Sequence, residues 1–232
     1  MLFRSCNPTG SVYTREELAA LAAVFQAHPG IFIISDEIYE LINFKGSHES
    51  IAQFPELKDR VIIINGVSKG FAMTGWRLGY CVAAPEIAKA CDKIQGQFTS
   101  GASSISQRAA IAAIITNPAE SEELKNMIET FRNRRDLFLK LLDEIPGFRT
   151  NVPDGAFYIF PDVTWYYGKS NGSVKINNGT DLCNYLLDHA HVALVSGEAF
   201  GNPDCIRLSY ATSNKELTEA ARRIKESLAL LH

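Results

Sequence analysis

Two uninterrupted apolar tetrads, Ile31-Phe-Ile-Ile34 and Val61-Ile-Ile-Ile64, constrain the fold of this chain more than any other feature. A strand that is apolar at every position is buried on both faces, the signature of a parallel sheet covered by helices. The flanking sequence supplies such helices. Thr14-Arg-Glu-Glu17 reads as a capping box, its hydroxyl and carboxylate each satisfying a backbone N–H at a helix start. Leu18, Leu21, Ala22 and Phe25 then fall at i, i+3, i+4 and i+7, one helical face ending near Pro29-Gly30. Leu78 to Ala83 is a third expected strand, and Pro85 suits the first turn of a helix toward Gln97. The first half is expected to be α/β.

Thr99 to Ser106 is small and polar and leads into an apolar helix over Ala109 to Ile115, which Asn117-Pro118 interrupts. Beyond it Leu124, Ile128, Phe131, Phe138, Leu142 and Ile145 line one face of a long helix stopped by Pro146-Gly147. The expected division is residues 1–118 as part of a larger domain, and 119–232 as the long helix plus a smaller α+β domain. In the latter, Ala156–Phe160, Val192–Val195 and Cys205–Tyr210 read as strands, and Thr180 as the cap of a helix through Ala190. Ser213-Asn-Lys-Glu216 is a second capping box, opening a terminal helix with Leu217, Ala221, Ile224, Leu228 and Leu231 in register. Tyr167 to Gly179, rich in Gly, Ser and Asn, reads as a mobile surface loop, and its sequons at Asn171 and Asn178 as chance matches.

Composition removes several function classes. An apolar share of 46% belongs to a core-forming chain rather than a disordered tail. A net charge of −3 gives no field for capturing nucleic acid or an anionic membrane surface. No apolar run approaches the ~18 residues that span a bilayer. Five cysteines without a close C-x-x-C pair favour neither a disulfide framework nor zinc, and point to a reducing cytoplasm. The histidines show no ligand spacing, so no metal is expected.

Three polar groups follow apolar segments, where open α/β sheets place their ligand crevice. Asp36 follows the first tetrad, with Tyr39 three residues on. Ser68-Lys69 follows the second through a turn containing Gly66. Asn7-Pro8-Thr9-Gly10 follows the opening apolar residues. Each alone reads as ordinary turn or cap chemistry. Together with Arg77 they read differently. A partly desolvated lysine can form a Schiff base with a carbonyl, and a hydroxyl with a guanidinium can clamp a phosphate. Lysine, carboxylate and phosphate clamp match what pyridoxal phosphate requires: an aldehyde trap, a partner for the ring nitrogen and an anchor.

Asn7-Pro-Thr-Gly10, Asp36-x-x-Tyr39, Ser68-Lys-x-x-Ala-Met-Thr-Gly-Trp-Arg77-Leu-Gly and Arg207-x-Ser-x-Ala211 occur in one order over nearly the whole chain. They resemble the class I/II pyridoxal-phosphate aminotransferases of fold type I, the aspartate aminotransferase family. The resemblance implies a truncated large-domain sheet with helices on both faces and a smaller C-terminal domain. It implies that Lys69 holds the cofactor and moves the substrate proton, and that Asp36 pairs with the pyridine nitrogen. It implies that Tyr39 and Asn7 bond the cofactor's 3′-oxygen, that Ser68 and Arg77 bind its phosphate, and that Arg207 and Asn7 hold the substrate α-carboxylate. The expected reaction moves an amino group between aspartate and 2-oxoglutarate, in a cytoplasmic homodimer.

Two departures from the pattern stand out. Gly66 replaces a serine that many relatives carry three residues before the lysine. Relatives also have an N-terminal portion that supplies a phosphate loop, a ring-stacking aromatic and side-chain specificity, so this chain reads as a C-terminal piece, inactive alone. Aromatic or kynurenine aminotransferases and C–S lyases share these motifs, and a non-catalytic regulatory domain is the alternative of another class. Phe157 and Tyr158 are expected in the core, and Ser100, Ser103 and Ser104 near a neighbouring subunit.

Overall fold

The computed structural model describes residues 2–4 and 7–232, and they form two compact units. The first comprises the strand Leu2–Arg4 and residues Val12–Ile128; the second comprises residues 7–11 and Glu129–His232. Cys6 lies outside the described residues.

The first unit is built on β1 (Leu2–Arg4), α1 (Arg15–Ala27), β2 (Ile33–Asp36), β3 (Val61–Gly66), β4 (Gly79–Val82), α2 (Pro85–Phe98) and α3 (Ser104–Ile115). The sheet order is β1-β2-β3-β4; the first two pairings are parallel and β3–β4 is antiparallel. The capping box forms in full: Glu17 N donates to Thr14 Oγ1 at 3.2 Å, and Thr14 N to Glu17 Oε2 at 2.8 Å. Leu18, Ala22 and Phe25 of α1 bury against Ile33, Val61, Ile51 and Leu57.

β2 begins two residues later than the apolar tetrad and ends on Asp36 itself. The cause is Arg60. Its guanidinium collects the carbonyls of Phe25, His28 and Ile31 at 3.1, 3.1 and 2.9 Å, which ties Ile31 into the turn closing α1. On the sheet face away from α1, Cys81 of β4 neighbours Cys91 of α2, and burial together with that neighbour pushes the Cys81 thiol up. Ile94 and Phe98 of α2 and Ile105, Ile111, Ile114 and Ile115 of α3 are exposed.

A long helix, α4 (Glu122–Asp143), runs from the first unit into the second. The second unit adds β5 (Tyr158–Ile159), β6 (Ser170–Asn171), β7 (Val174–Lys175), α5 (Gly179–Ala190), β8 (Val195–Ser196), β9 (Ile206–Ser209) and α6 (Asn214–Leu228). β5, β9 and β8 form an antiparallel sheet in that order. In its core, buried tyrosine hydroxyls find backbone acceptors: Tyr185 donates to Ser227 O at 2.8 Å, Tyr210 to Ala156 O at 3.1 Å, and Tyr166 to Pro146 O.

Two expectations here need correction. Residues 167–179 are not a plain loop: β6 and β7 form a hairpin turning at Gly172, where φ is +60°. Ser170 exchanges both backbone hydrogen bonds with His232, at 2.9 and 3.1 Å, and Ile176 is fully buried. The cap of α5 is Asn178 rather than Thr180; its Oδ1 accepts from Asp181 N at 2.8 Å, while the Thr180 hydroxyl bonds Ser196 at 2.8 Å and Glu198 at 3.1 Å. Among the described residues no helix is long and apolar enough to cross a membrane.

Candidate functional site

In the first unit the residues singled out by the sequence gather at the carboxyl edge of the parallel strands, where open sheets of this kind form their ligand crevice. Asp36 is the last residue of β2, paired in register with Ile64 of β3. Its Oδ1 accepts from Ile38 N at 3.3 Å, an Asx turn that reverses the chain and delivers Tyr39 into the interior. Lys69 Nζ lies over the Tyr39 ring, 5.9 Å from its centroid.

Lys69 reaches that position because the loop after β3 is anchored at both ends. Val67 is buried with Ala110 and Ala113 of α3, and Phe71, Met73 and Leu78 pack on the same cluster. Ser68 and Lys69 are left half-buried between these anchors. Arg77 ends the 3₁₀ turn Thr74–Trp76 in the left-handed region, φ 51°, and its exposed guanidinium donates to Thr74 O at 2.9 Å.

Gly66 has a structural reason. It faces Gly79 across the β3–β4 pair, and a Cβ on Gly66 would lie 3.0 Å from both Gly79 Cα and Leu78 O. The two strands approach too closely for a side chain to enter without backbone movement.

Beside Asp36 lies a network absent from the sequence expectations. Glu37, 5% exposed, accepts from Ser35 Oγ at 2.9 Å and Ser50 Oγ at 2.6 Å, and its Oε2 is 3.0 Å from His48 Nε2. Burial alone would raise this carboxyl, but hydrogen bonds from His48 and Ser50, the His48 charge and Ser35 outweigh it and hold it below its ordinary value. Glu40 brings a third possible ligand atom within 4.8 Å of Glu37 and His48. The usable signal was position: Glu37 falls on the inward alternation of Ile33 and Ser35.

In the second unit, Arg207 of β9 stands opposite Val195 of β8. The half-buried guanidinium donates from Nη1 to Asn7 Oδ1 at 2.9 Å. Its Cζ lies 4.5 Å from the Tyr158 ring centroid and 4.8 Å from that of Phe200. Among the described residues no carboxylate pairs with it. Asn7, joined to Pro8 by a cis bond, is held through its own turn. Gly10 O accepts from Asp154 N at 2.8 Å and Gly155 N at 2.9 Å, and Asn151 Nδ2 donates to Thr9 O at 2.7 Å. The expected residues therefore fall into two groups: Asp36, Tyr39, Ser68, Lys69 and Arg77 in one unit, Asn7 and Arg207 in the other.

Comparison with known proteins decides the family. Residues 1–224 match the family described as "Aminotransferase class I and II". The chain belongs to the class I and II aminotransferases. It is 50% identical over 227 residues to a Petunia hybrida protein named bifunctional aspartate aminotransferase and glutamate/aspartate-prephenate aminotransferase, covering 97% of this chain and 47% of that one. An aspartate aminotransferase of Pinus pinaster is 48% identical, again over 97% of this chain and 46% of the relative. The crystal structure of the aspartate aminotransferase from Rhizobium meliloti superposes with a TM-score of 0.93 at 42% identity, covering 100% of this chain and 58% of that structure. This aminotransferase chain thus has the fold-type-I α/β architecture expected from its motifs, and spans about half the length of the curated relatives it matches.

Proposed function

We propose that this chain carries the lysine and the carboxylate-binding arginine of a pyridoxal-phosphate transaminase that moves the amino group of aspartate to 2-oxoglutarate. The observation that carries the reading is Arg207, a half-buried fork that donates to the Asn7 amide oxygen and, among the described residues, meets no carboxylate. A planar two-pronged donor left in that state suits a substrate carboxylate. The names of the relatives supply aspartate as the amino donor.

The donor set in the first unit fits the cofactor: a carboxylate on Asp36 at the end of β2, with an amine on Lys69, a hydroxyl on Ser68 and a guanidinium on Arg77 in the connection between β3 and β4. When bound, pyridoxal phosphate supplies a sink for the electrons of the substrate Cα–H bond. In this reading Asp36 keeps the ring nitrogen protonated through an opposite charge. Tyr39 donates to the 3′-oxygen, as does Asn7 through Nδ2, because Asn7 Oδ1 is taken by Arg207. Ser68 and Arg77 anchor the phosphate. Lys69 Nζ holds the cofactor and then carries the proton from substrate Cα, a general-base step that demands an amine within hydrogen-bond reach. Arg207 fixes the α-carboxylate, which sets the direction of that Cα–H bond.

A second acceptor is favoured by the name of the Petunia relative, which includes prephenate. The apolar faces of α2 and α3 support a homodimer as the working assembly. The deciding experiment is an amino-transfer assay on the full-length protein with aspartate, offering 2-oxoglutarate and prephenate in parallel. Transfer to 2-oxoglutarate supports the reading, transfer to prephenate alone selects the second acceptor, and transfer to neither refutes both.

A further inference from the structure

Two rings face the guanidinium of Arg207, and the fold takes trouble to put them there. Tyr158 of β5 pairs with Ser209 of β9, two residues beyond Arg207, so its ring is the diagonal neighbour of Arg207 on one sheet face. Phe200 arrives from the opposite flank, at the end of the 3₁₀ turn Gly197–Phe200 that follows β8. That turn is closed tightly. Gly197 N donates to Cys205 O at 2.8 Å, and Asn202 N donates to Gly197 O at 3.0 Å. A Cβ on Gly197 would fall 2.2 Å from Asn202 O, so no side chain fits.

Each ring is braced in turn. Phe160 meets Phe200 edge-on, centroids 6.1 Å apart at 88°. Phe157 lies 4.7 Å from Tyr158 and stacks on Phe131 of α4 at 5.4 Å. An arginine on a strand otherwise samples many rotamers, and each one lost on binding costs affinity. Guanidinium stacked on aromatic faces keeps its charge and its planar fork while losing that freedom beforehand.

We propose that Tyr158 and Phe200 are positioning residues that fix the plane of Arg207, so that its free edge takes an α-carboxylate through two parallel hydrogen bonds. This rests on the carboxylate-binding role given to Arg207 above. The rings act through the arginine, and their effect is on carboxylate affinity.

The test uses the full-length protein with succinate as a probe, a dicarboxylate without an amine, titrated calorimetrically into apo and cofactor-loaded forms. Phe200→Met keeps apolar volume and removes the ring, and Phe200→Leu serves if the first fails to fold. The expected result is about tenfold weaker succinate binding and a parallel rise in KM for aspartate, with kcat within about twofold, and recovery in Phe200→Tyr. In an Arg207→Lys background the ring change should have no further effect. If Arg207→Lys itself leaves succinate affinity unchanged, the carboxylate role of Arg207 fails. If Arg207→Lys weakens binding while Phe200→Met does not, or if Phe200→Met only lowers the melting temperature, that role stands and the positioning inference is overturned. Equal losses in both backgrounds overturn it as well.

Discussion

Asn7 and Arg207 are 200 positions apart in the chain and 2.9 Å apart in space. The bond spends the amide oxygen on the guanidinium and leaves the amide nitrogen as a donor, so one side chain serves both the substrate and the cofactor role proposed for it. It also orients the arginine from a turn whose shape is fixed independently by Asp154, Gly155 and Asn151.

Replacing Arg207 with lysine keeps the charge and loses the fork. In the full-length protein the binding of amino-acid substrates is expected to weaken by about 2–4 kcal/mol, since a buried carboxylate loses partners. Absorbance of the bound cofactor should persist. Titration of that absorbance with aspartate measures the effect, and unchanged affinity would make Arg207 structural.

Gly10 is expected to tolerate no side chain. Its φ is +71°, and an added Cβ would lie 2.3 Å from Pro153 Cβ and 2.9 Å from Gly155 O. Gly10→Ala should cost about 2–4 kcal/mol, left-handed strain plus overpacking. Urea unfolding of the full-length protein measures the stability, and the same variant should weaken amino-acid binding through Asn7. A loss below about 0.5 kcal/mol would contradict the close packing of this turn.

Glu37 gives a pH signature. Its carboxyl is held below the ordinary value of 4.5, so its contribution is fully present above that pH and fades as pH falls through the lower folded value. Glu37→Gln is expected to lose about 1–3 kcal/mol at neutral pH, the range for hydrogen bonds to a charged group. Urea midpoints at pH 7 and progressively below pH 4.5 should show the gap between wild type and variant closing in acid. A gap that widens in acid would reverse the sign and refute the network's role.

What the sequence disclosed, and what it hid, follows physical lines. The Thr14–Glu17 capping box and the α1 face were legible because both are local, set by spacings of three and four residues. The start of β2 was not, because Arg60 claims Ile31 from 29 residues away. The hairpin at 170–175 hid in a Gly-, Ser- and Asn-rich segment whose partner is the last residue of the chain. In the candidate site, motif residues stood out by type and order, whereas Glu37 and His48 are joined by a contact that no periodicity encodes.

The 232-residue chain by itself is expected to turn over aspartate and 2-oxoglutarate at less than a tenth of the full-length rate. Orientation supplies much of an enzyme's acceleration, and the chain spans about half the length of the curated relatives it matches. The exposed isoleucines of α2 and α3 should also drive self-association, read by light scattering across a concentration series. Turnover within tenfold of full length, or a chain monomeric throughout, would contradict this.

The claim on which the rest depends is that Lys69 holds the cofactor. Borohydride reduction of the cofactor-loaded full-length protein, followed by peptide mapping, tests it directly. The account predicts the pyridoxyl group on the peptide containing Lys69; a label on Lys45, Lys58 or any other lysine would contradict it.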